Sequence, residues 1–177
     1  FKKYETTKWG IIKSAALSIV ILGVIMWGII PGVIIIAGWF ELLFVNGFGM
    51  PFNTGVVIYA LLLIAGLTFG IRYTLKHNHT VVNTILTCFV VMLIGYSCYA
   101  MVVIRSVSNP PIDENSPDNV FALLSYISRD QYGQEPLVYG PYFNAPVIGV
   151  EDAGPIYYQN EKTGKYDIVD HKKEVKY

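Results

Sequence analysis

Long apolar runs occupy the first two thirds of the chain and alternate with short polar breaks. A helix needs roughly twenty apolar residues to cross the hydrocarbon core of a bilayer. Ile11 to Ile30 supplies one such run, Gly55 to Tyr73 a second and Val81 to Ile104 a third. Lys13 lies close enough to the end of the first run for its ammonium to reach water. Pro31-Gly32 then interrupts the pattern, and the apolar residues from Val33 to Val45 are too few for a further crossing. That stretch is either a kinked continuation of the first helix or an interfacial or re-entrant helix with Trp39 and Phe40 at headgroup level. The interfacial reading is preferred, because a kinked continuation requires a span far longer than a bilayer is thick.

After Ile104 the pattern changes. Asn109-Pro-Pro-Ile-Asp-Glu-Asn115 is a stiff strap with an acidic end. Ser116 followed by Pro117 suits a helix start, since proline at the first helical position gives up an N–H that has no partner there. Val120, Leu123, Leu124 and Ile127 then recur at helical spacing, and Gly133 suits a helix stop. This helix is expected to lie against the rest of the fold or on the membrane surface. Pro136 to Tyr139, Val147 to Val150 and Ile156 to Tyr158 read as short strands between Gly-Pro and Asn-Ala-Pro turns. Asn160 to Lys165 reads as the loop of a hairpin whose second strand starts at Tyr166.

The fold class that follows is an α-helical integral membrane protein, with three transmembrane helices and an interfacial segment over residues 1–104. A small α+β exported domain follows over 105–177. Charge sharpens this division. Formal net charge is zero, yet Glu41 and Arg72 are the only ionised residues between Ser14 and Leu75, whereas Asp, Glu and Lys are frequent beyond Arg105. Lys2, Lys3, Lys8 and Lys13 precede the first span, none falls between Pro31 and Thr54, and Arg72 and Lys76 flank the turn at His77. Positive charge marks cytoplasmic loops, so the N-terminus and that turn are expected in the cytoplasm. Everything after Ile104 then faces outward, into the periplasm of a bacterial cell with its inner membrane as host. The start at Phe1 and the ending at Tyr177 suggest an internal piece of a larger protein.

Candidate chemistry is sparse. Cys88 and Cys98 are ten residues apart on one helix, about 15 Å at ~1.5 Å per residue, too far for a disulfide. His77 and His79 lack a third ligand, so no metal site is expected, and Asn78-His79-Thr80, formally a glycosylation acceptor, falls in a cytoplasmic turn. Glycines 23, 28, 66, 70 and 95 permit close helix approach, Gly66 and Gly70 as a small-xxx-small pair. Glu41 is the notable residue. A carboxylate among Trp39, Phe40, Leu42 and Leu43 must be paired, protonated or turned to water, and intramembrane ionisable groups are functional candidates. Tyrosines are frequent beyond Tyr126 and suit either sugar stacking or a small wet core. No phosphate-binding glycine loop, CxxC pair or Ser/His/Asp arrangement is present, and no basic stripe points to nucleic acid.

The strap Asn109–Asn115, continuing through Leu123-Leu-Ser-Tyr126, Arg129-Asp-Gln-Tyr-Gly133 and Tyr139-Gly-Pro-Tyr-Phe-Asn-Ala-Pro146, resembles a family of large bacterial polytopic membrane proteins. That family is related to the mammalian O-mannosyltransferase that modifies plexin-type domains. Gly49-Met-Pro-Phe-Asn-Thr-Gly55 resembles its loop before a late transmembrane helix. The resemblance implies a GT-C-type glycosyltransferase, which moves a sugar from a polyprenyl-phosphate donor to an exported acceptor, here a protein. It implies a catalytic acid in an early exported loop that has no counterpart in this sequence, so no catalytic residue is expected here. Substrate contacts are expected instead from Glu41, Arg105, Asp113, Glu114, Tyr132 and Tyr139. The partners implied are membrane lipid, the lipid-linked sugar and the acceptor protein, with no cofactor required beyond the donor. A non-enzymatic membrane-anchored scaffold or accessory subunit is the competing reading.

Overall fold

The computed structural model describes residues 7–108, 110–113, 115–132, 140, 142 and 144–176. Glu114, Gly133 and the strand expected over Pro136 to Tyr139 lie outside the described residues. Among the described residues, three helices are long and apolar enough to cross a membrane, Lys8–Gly47, Thr54–Lys76 and Thr80–Val107.

The first, α1 (Lys8–Gly47), starts where the Thr7 hydroxyl accepts a hydrogen bond from the Gly10 N–H at 3.2 Å. It runs unbroken for 40 residues, so neither the break expected at Pro31-Gly32 nor a separate interfacial segment over Val33 to Val45 exists. The cause is a π-helical stretch, Val24–Ile29, just ahead of the proline. There the Ile30 N–H reaches the Ile25 carbonyl, and Pro31 enters at the start of the next α-helical stretch. A wide turn of this kind rearranges the backbone bonds that proline cannot make, so the helix continues through it. A second π-helical stretch, Leu43–Gly47, ends α1.

The chain reverses through Phe48 to Asn53, and α2 (Thr54–Lys76) returns beside the second half of α1. Phe40 and Tyr59 meet across the two helices with ring centroids 5.3 Å apart. At Gly55 the backbones touch: a Cβ there would lie 2.4 Å from the Glu41 Cα. The short turn at His77 leads into α3 (Thr80–Tyr96). Asn83 closes that turn by donating to the Thr74 hydroxyl at 3.0 Å, and Leu86 packs over Gly70. Of the glycines expected to admit a neighbouring helix, only Gly70 does so. Gly66 and Gly95 face open space, and Gly23 and Gly28 meet side chains of their own helix.

A break at Ser97 separates α3 from α4 (Cys98–Val107), which carries the third apolar helix to its end. Helix α3 packs along α2, but α4 draws away from it. Beyond α4 the strap folds back, with Asp113 accepting from the Ser106 hydroxyl at 2.8 Å and Pro117 fully buried.

Helix α5 (Val120–Ser128) follows, and its start corrects the expected one. Ser116 does not cap it. Asn119 does, its side-chain oxygen accepting from the Phe121 and Ala122 N–H groups at 3.0 and 2.9 Å. Asparagine caps as well as serine, and Pro117 is buried ahead of the helix, so the helix begins one turn later. It ends at Arg129 in the left-handed region, φ 57°. Strands β1 (Gly149–Asn160) and β2 (Lys165–Lys176) then form one antiparallel hairpin. The separate strands expected at Val147 to Val150 and Ile156 to Tyr158 merge into β1, with a register irregularity between Asp152 and Pro155 where Gly154 takes φ 116°. The turn is as expected from the sequence: Asn160 accepts from the Lys162 and Thr163 N–H groups, and Gly164 supplies φ 67°.

Candidate functional site

The centre of the molecule is a polar knot where α1, α2, α5 and the hairpin meet. Glu41 is fully buried near the C-terminal end of α1. One carboxylate oxygen accepts from the Asn53 N–H at 2.5 Å and from the Tyr166 hydroxyl at 3.1 Å, and the other from the Val56 N–H at 3.1 Å. These amides belong to the start of α2, where unpaired N–H groups and the helix dipole favour an anion. Glu41 therefore caps a helix that neighbours its own. That is why a carboxylate is tolerated in an apolar stretch.

Tyr166, only 3 % exposed, brings the hairpin to this point. Its backbone N–H and carbonyl are both taken by the Asn46 amide, at 2.8 and 2.9 Å. Its ring meets Phe52 and Phe121 edge-on, with centroids 5.1 Å apart in each case. Its hydroxyl also accepts from the Gln159 amide at 2.9 Å. Burial first, and then the charge of Glu41, push the phenol above its ordinary pKa, against the opposing pull of Gln159. Asn46, Phe52, Phe121 and Tyr166 were not singled out from the sequence. The available signal was that Glu41 and Asn46 are polar residues in an apolar stretch, and buried polar groups must find partners.

Two clefts flank this knot, one on each side of α5. The first opens because α4 diverges from α2 after Ser97. It measures about 710 Å³ and is walled by aliphatic residues such as Ile30, Leu63, Leu67, Leu93 and Val103, with Leu123 and Ile127 of α5 over one end. The second, about 840 Å³, lies between α1, α5 and the hairpin. Its floor includes Ile34, Ile35 and Leu42, and Asp130, Lys172 and Lys173 stand at its rim. Helix α5 thus has no free polar face: Phe121 to Ile127 are all half-buried.

The residues expected to contact substrate do not converge on one point. Glu41 is enclosed in the knot. Arg105 is exposed on α4, directly after cleft residues Val103 and Ile104, and makes no ion pair among the described residues. Asp113 holds the strap to Ser106 next to it. Tyr132 is 68 % exposed at the end of the 3-10 turn Asp130–Tyr132 and lines neither cleft. Glu114 and Tyr139 lie outside the described residues. Elsewhere, Asp152 and His171 pair across the hairpin, and the Gly154 N–H, followed by His171, holds the exposed Asp152 carboxyl below its usual range. No group of three or more metal-ligating side chains forms among the described residues.

Residues 133–177 match a family model described as a family of unknown function (DUF8416), which covers the hairpin and none of the membrane-length helices. No curated protein and no solved structure matches the chain.

Proposed function

We propose that this chain is the donor-lipid-holding part of a membrane glycosyltransferase, one that moves a sugar from a polyprenyl-phosphate carrier to an exported protein. The observation that carries the proposal is the aliphatic cleft between α1, α2 and α3–α4, in a chain with three apolar helices of membrane length. A polyisoprenoid tail is all hydrocarbon, and such a cleft solvates it without asking it to satisfy a polar group. Arg105 follows the cleft-lining residues Val103 and Ile104, where a guanidinium pairs with a lipid phosphate in two-point fashion. In the reaction the acceptor hydroxyl oxygen bonds to the anomeric carbon while the bond from that carbon to the phosphate oxygen breaks. The phosphate leaves on its lipid, and the hydroxyl proton passes to a carboxylate supplied from outside this chain. The Lys/Arg distribution puts the N-terminus and His77 on the cytoplasmic side, and the hairpin outside the inner membrane.

The test uses the full-length protein in membranes and follows radiolabelled sugar from the lipid donor to exported protein. Ala60→Phe fills the cleft and Arg105→Ala removes the cation. Each should raise the donor KM about tenfold or more, in line with the loss of a charge-assisted contact or of a hydrocarbon site. No transfer in the parent, or no effect of either variant, sinks the reading. A non-enzymatic anchored scaffold then takes its place. That alternative is favoured by Glu41, the one carboxylate of the apolar helices, being engaged by three structural donors.

A further inference from the structure

The last two turns of α2 carry a stripe that neither cleft uses. Phe69, Arg72, Tyr73, Lys76 and His77 recur at helical spacing and share one face. All five are exposed, and none lines either cleft. The adjoining face is the packed one, where Gly70 takes Leu86 of α3 and Thr74 takes Asn83. Along the stripe the rings stack on one another. Centroids of Phe69 and Tyr73 are 6.2 Å apart, and those of Tyr73 and His77 4.2 Å. The His77 Nδ1–H donates to the Tyr73 carbonyl at 2.9 Å, which holds the end of the ladder.

Arg72 and Lys76 stand beside this ladder as i, i+4 neighbours. Like charges at that spacing repel, and an anion shared between them relieves the repulsion. The chain supplies none nearby: the sequence has no Asp or Glu between Glu41 and Asp113. Neither cation makes an ion pair among the described residues. Depth follows from the helix itself. Lys76 ends α2, where its apolar run gives way to the polar turn at His77. Arg72 is four residues further in, about 6 Å at ~1.5 Å per residue, within reach of the headgroups for a stem of its length. Phe69 is about 10 Å in from Lys76, at acyl-chain depth, while Tyr73 and His77 lie at the boundary where amphipathic rings settle.

We propose that this stripe binds an anionic phospholipid of the leaflet at the His77 end, its phosphate held between Arg72 and Lys76 and an acyl chain against Phe69 and Tyr73. The inference rests on α2 crossing the membrane and not on sugar transfer. Stripe and lipid match in both parts, hydrocarbon with ring and phosphate with cation, and cations at this level draw anionic headgroups.

The experiment places a reporter in the stripe. The full chain carries Phe69→Trp, with Trp9→Phe, Trp27→Phe and Trp39→Phe as background, and is reconstituted in phosphatidylcholine vesicles. Brominated phosphatidylglycerol is compared with brominated phosphatidylcholine as quencher of the new tryptophan. Half-quenching should need about tenfold less of the anionic lipid, given the attraction of two interfacial cations. Arg72→Gln with Lys76→Gln should abolish that preference and leave quenching by the brominated phosphatidylcholine as it was. Lys8→Gln with Lys13→Gln removes the same charge from the start of α1 and should keep the preference. Equal quenching of the parent by both lipids overturns the proposal, and so does an equal loss in the two double variants. Inorganic phosphate at constant ionic strength should leave the preference intact, and its erasure would assign the cations to a soluble anion instead of a lipid. Sugar transfer is read separately, so failure of one proposal leaves the other standing.

Discussion

Glu41 shows how a single carboxylate can organise contacts from three directions. Two of its hydrogen bonds come from amides at the start of α2, and the third from a tyrosine 125 positions further on. Glu41→Gln keeps the shape but replaces one acceptor oxygen with an N–H₂ group, which faces a buried amide donor. A buried donor left unpaired costs about 1–3 kcal/mol, more where the partner was charged, so this variant should lose about 3 kcal/mol of stability in detergent. Tyr166→Phe removes one hydroxyl and should lose about 1–2 kcal/mol. The double variant should lose less than the sum, since both changes break the same bond. Strict additivity in denaturant titrations would mean that the two side chains are not coupled.

Tyr166 also sets a pH dependence. Its folded pKa lies above its ordinary value, so the stability it contributes is complete below the unfolded value of about 10. That contribution falls as pH rises from there through the folded value, because the unfolded chain gives up the phenolic proton first. The stability advantage of the parent over Tyr166→Phe should therefore narrow above about pH 10. An advantage that stays constant from neutral to strongly alkaline pH would contradict the burial of this phenol.

At the scale of elements, close packing is concentrated at one glycine that sequence pattern did not mark. A Cβ at Gly55 would sit 2.4 Å from both the Glu41 Cα and the Phe40 carbonyl oxygen, and neither backbone atom can step aside. Gly55→Ala should therefore push α2 off α1 and open the knot, costing about 3 kcal/mol or more. Gly66→Ala meets no atom within 4 Å and should be neutral or slightly stabilising, as alanine is the better helix former. Thermal melts in detergent separate the two, and a similar melting temperature for both variants would place the helix contact elsewhere.

The same contrast shows what the sequence could reveal. Apolar run length located the three helices because lipid demands it of any span. The hairpin turn was legible because Asn160 and Gly164 act on their immediate neighbours. The continuity of α1 was hidden, since proline ordinarily stops a helix and the π-helical stretch that absorbs it leaves no compositional mark. The role of Glu41 was hidden for a different reason: its partners at Asn53, Val56 and Tyr166 come together only in the fold. Arg105 and Asp113 do lie close in the structure, through Ser106, but nothing joins them to Glu41 or Tyr132.

On the scale of the whole molecule, the knot ties the hairpin to the Thr54 end of α2, opposite the turn at His77. Helix α1 is 40 residues long, about 60 Å at ~1.5 Å per residue, roughly twice the ~30 Å hydrocarbon core. It is longer than the core it would cross. Helix α2, at 23 residues, is about 35 Å long and fits the core closely, so it fixes the frame. Its Thr54 end is tied to Glu41, Asn46 lies one turn further along α1, and Tyr166 ties the hairpin to both. The hairpin and the turn at His77 should thus fall on opposite sides of the membrane. The Lys/Arg distribution predicts which side is which, with Lys8, Lys13, Arg72 and Lys76 expected in or near the cytoplasm. Single cysteines at Asn78 and Glu161 report on this, in a chain with Cys88 and Cys98 replaced. Glu161 is preferred over Asn160, whose side chain holds the turn. An impermeant thiol reagent added to intact spheroplasts should label Glu161→Cys and leave Asn78→Cys unreacted until the membrane is opened. Labelling of both from outside would mean that α2 and α3–α4 do not cross as a pair. The reverse pattern would turn the molecule over, setting Arg105 on the cytoplasmic side, away from any exported acceptor.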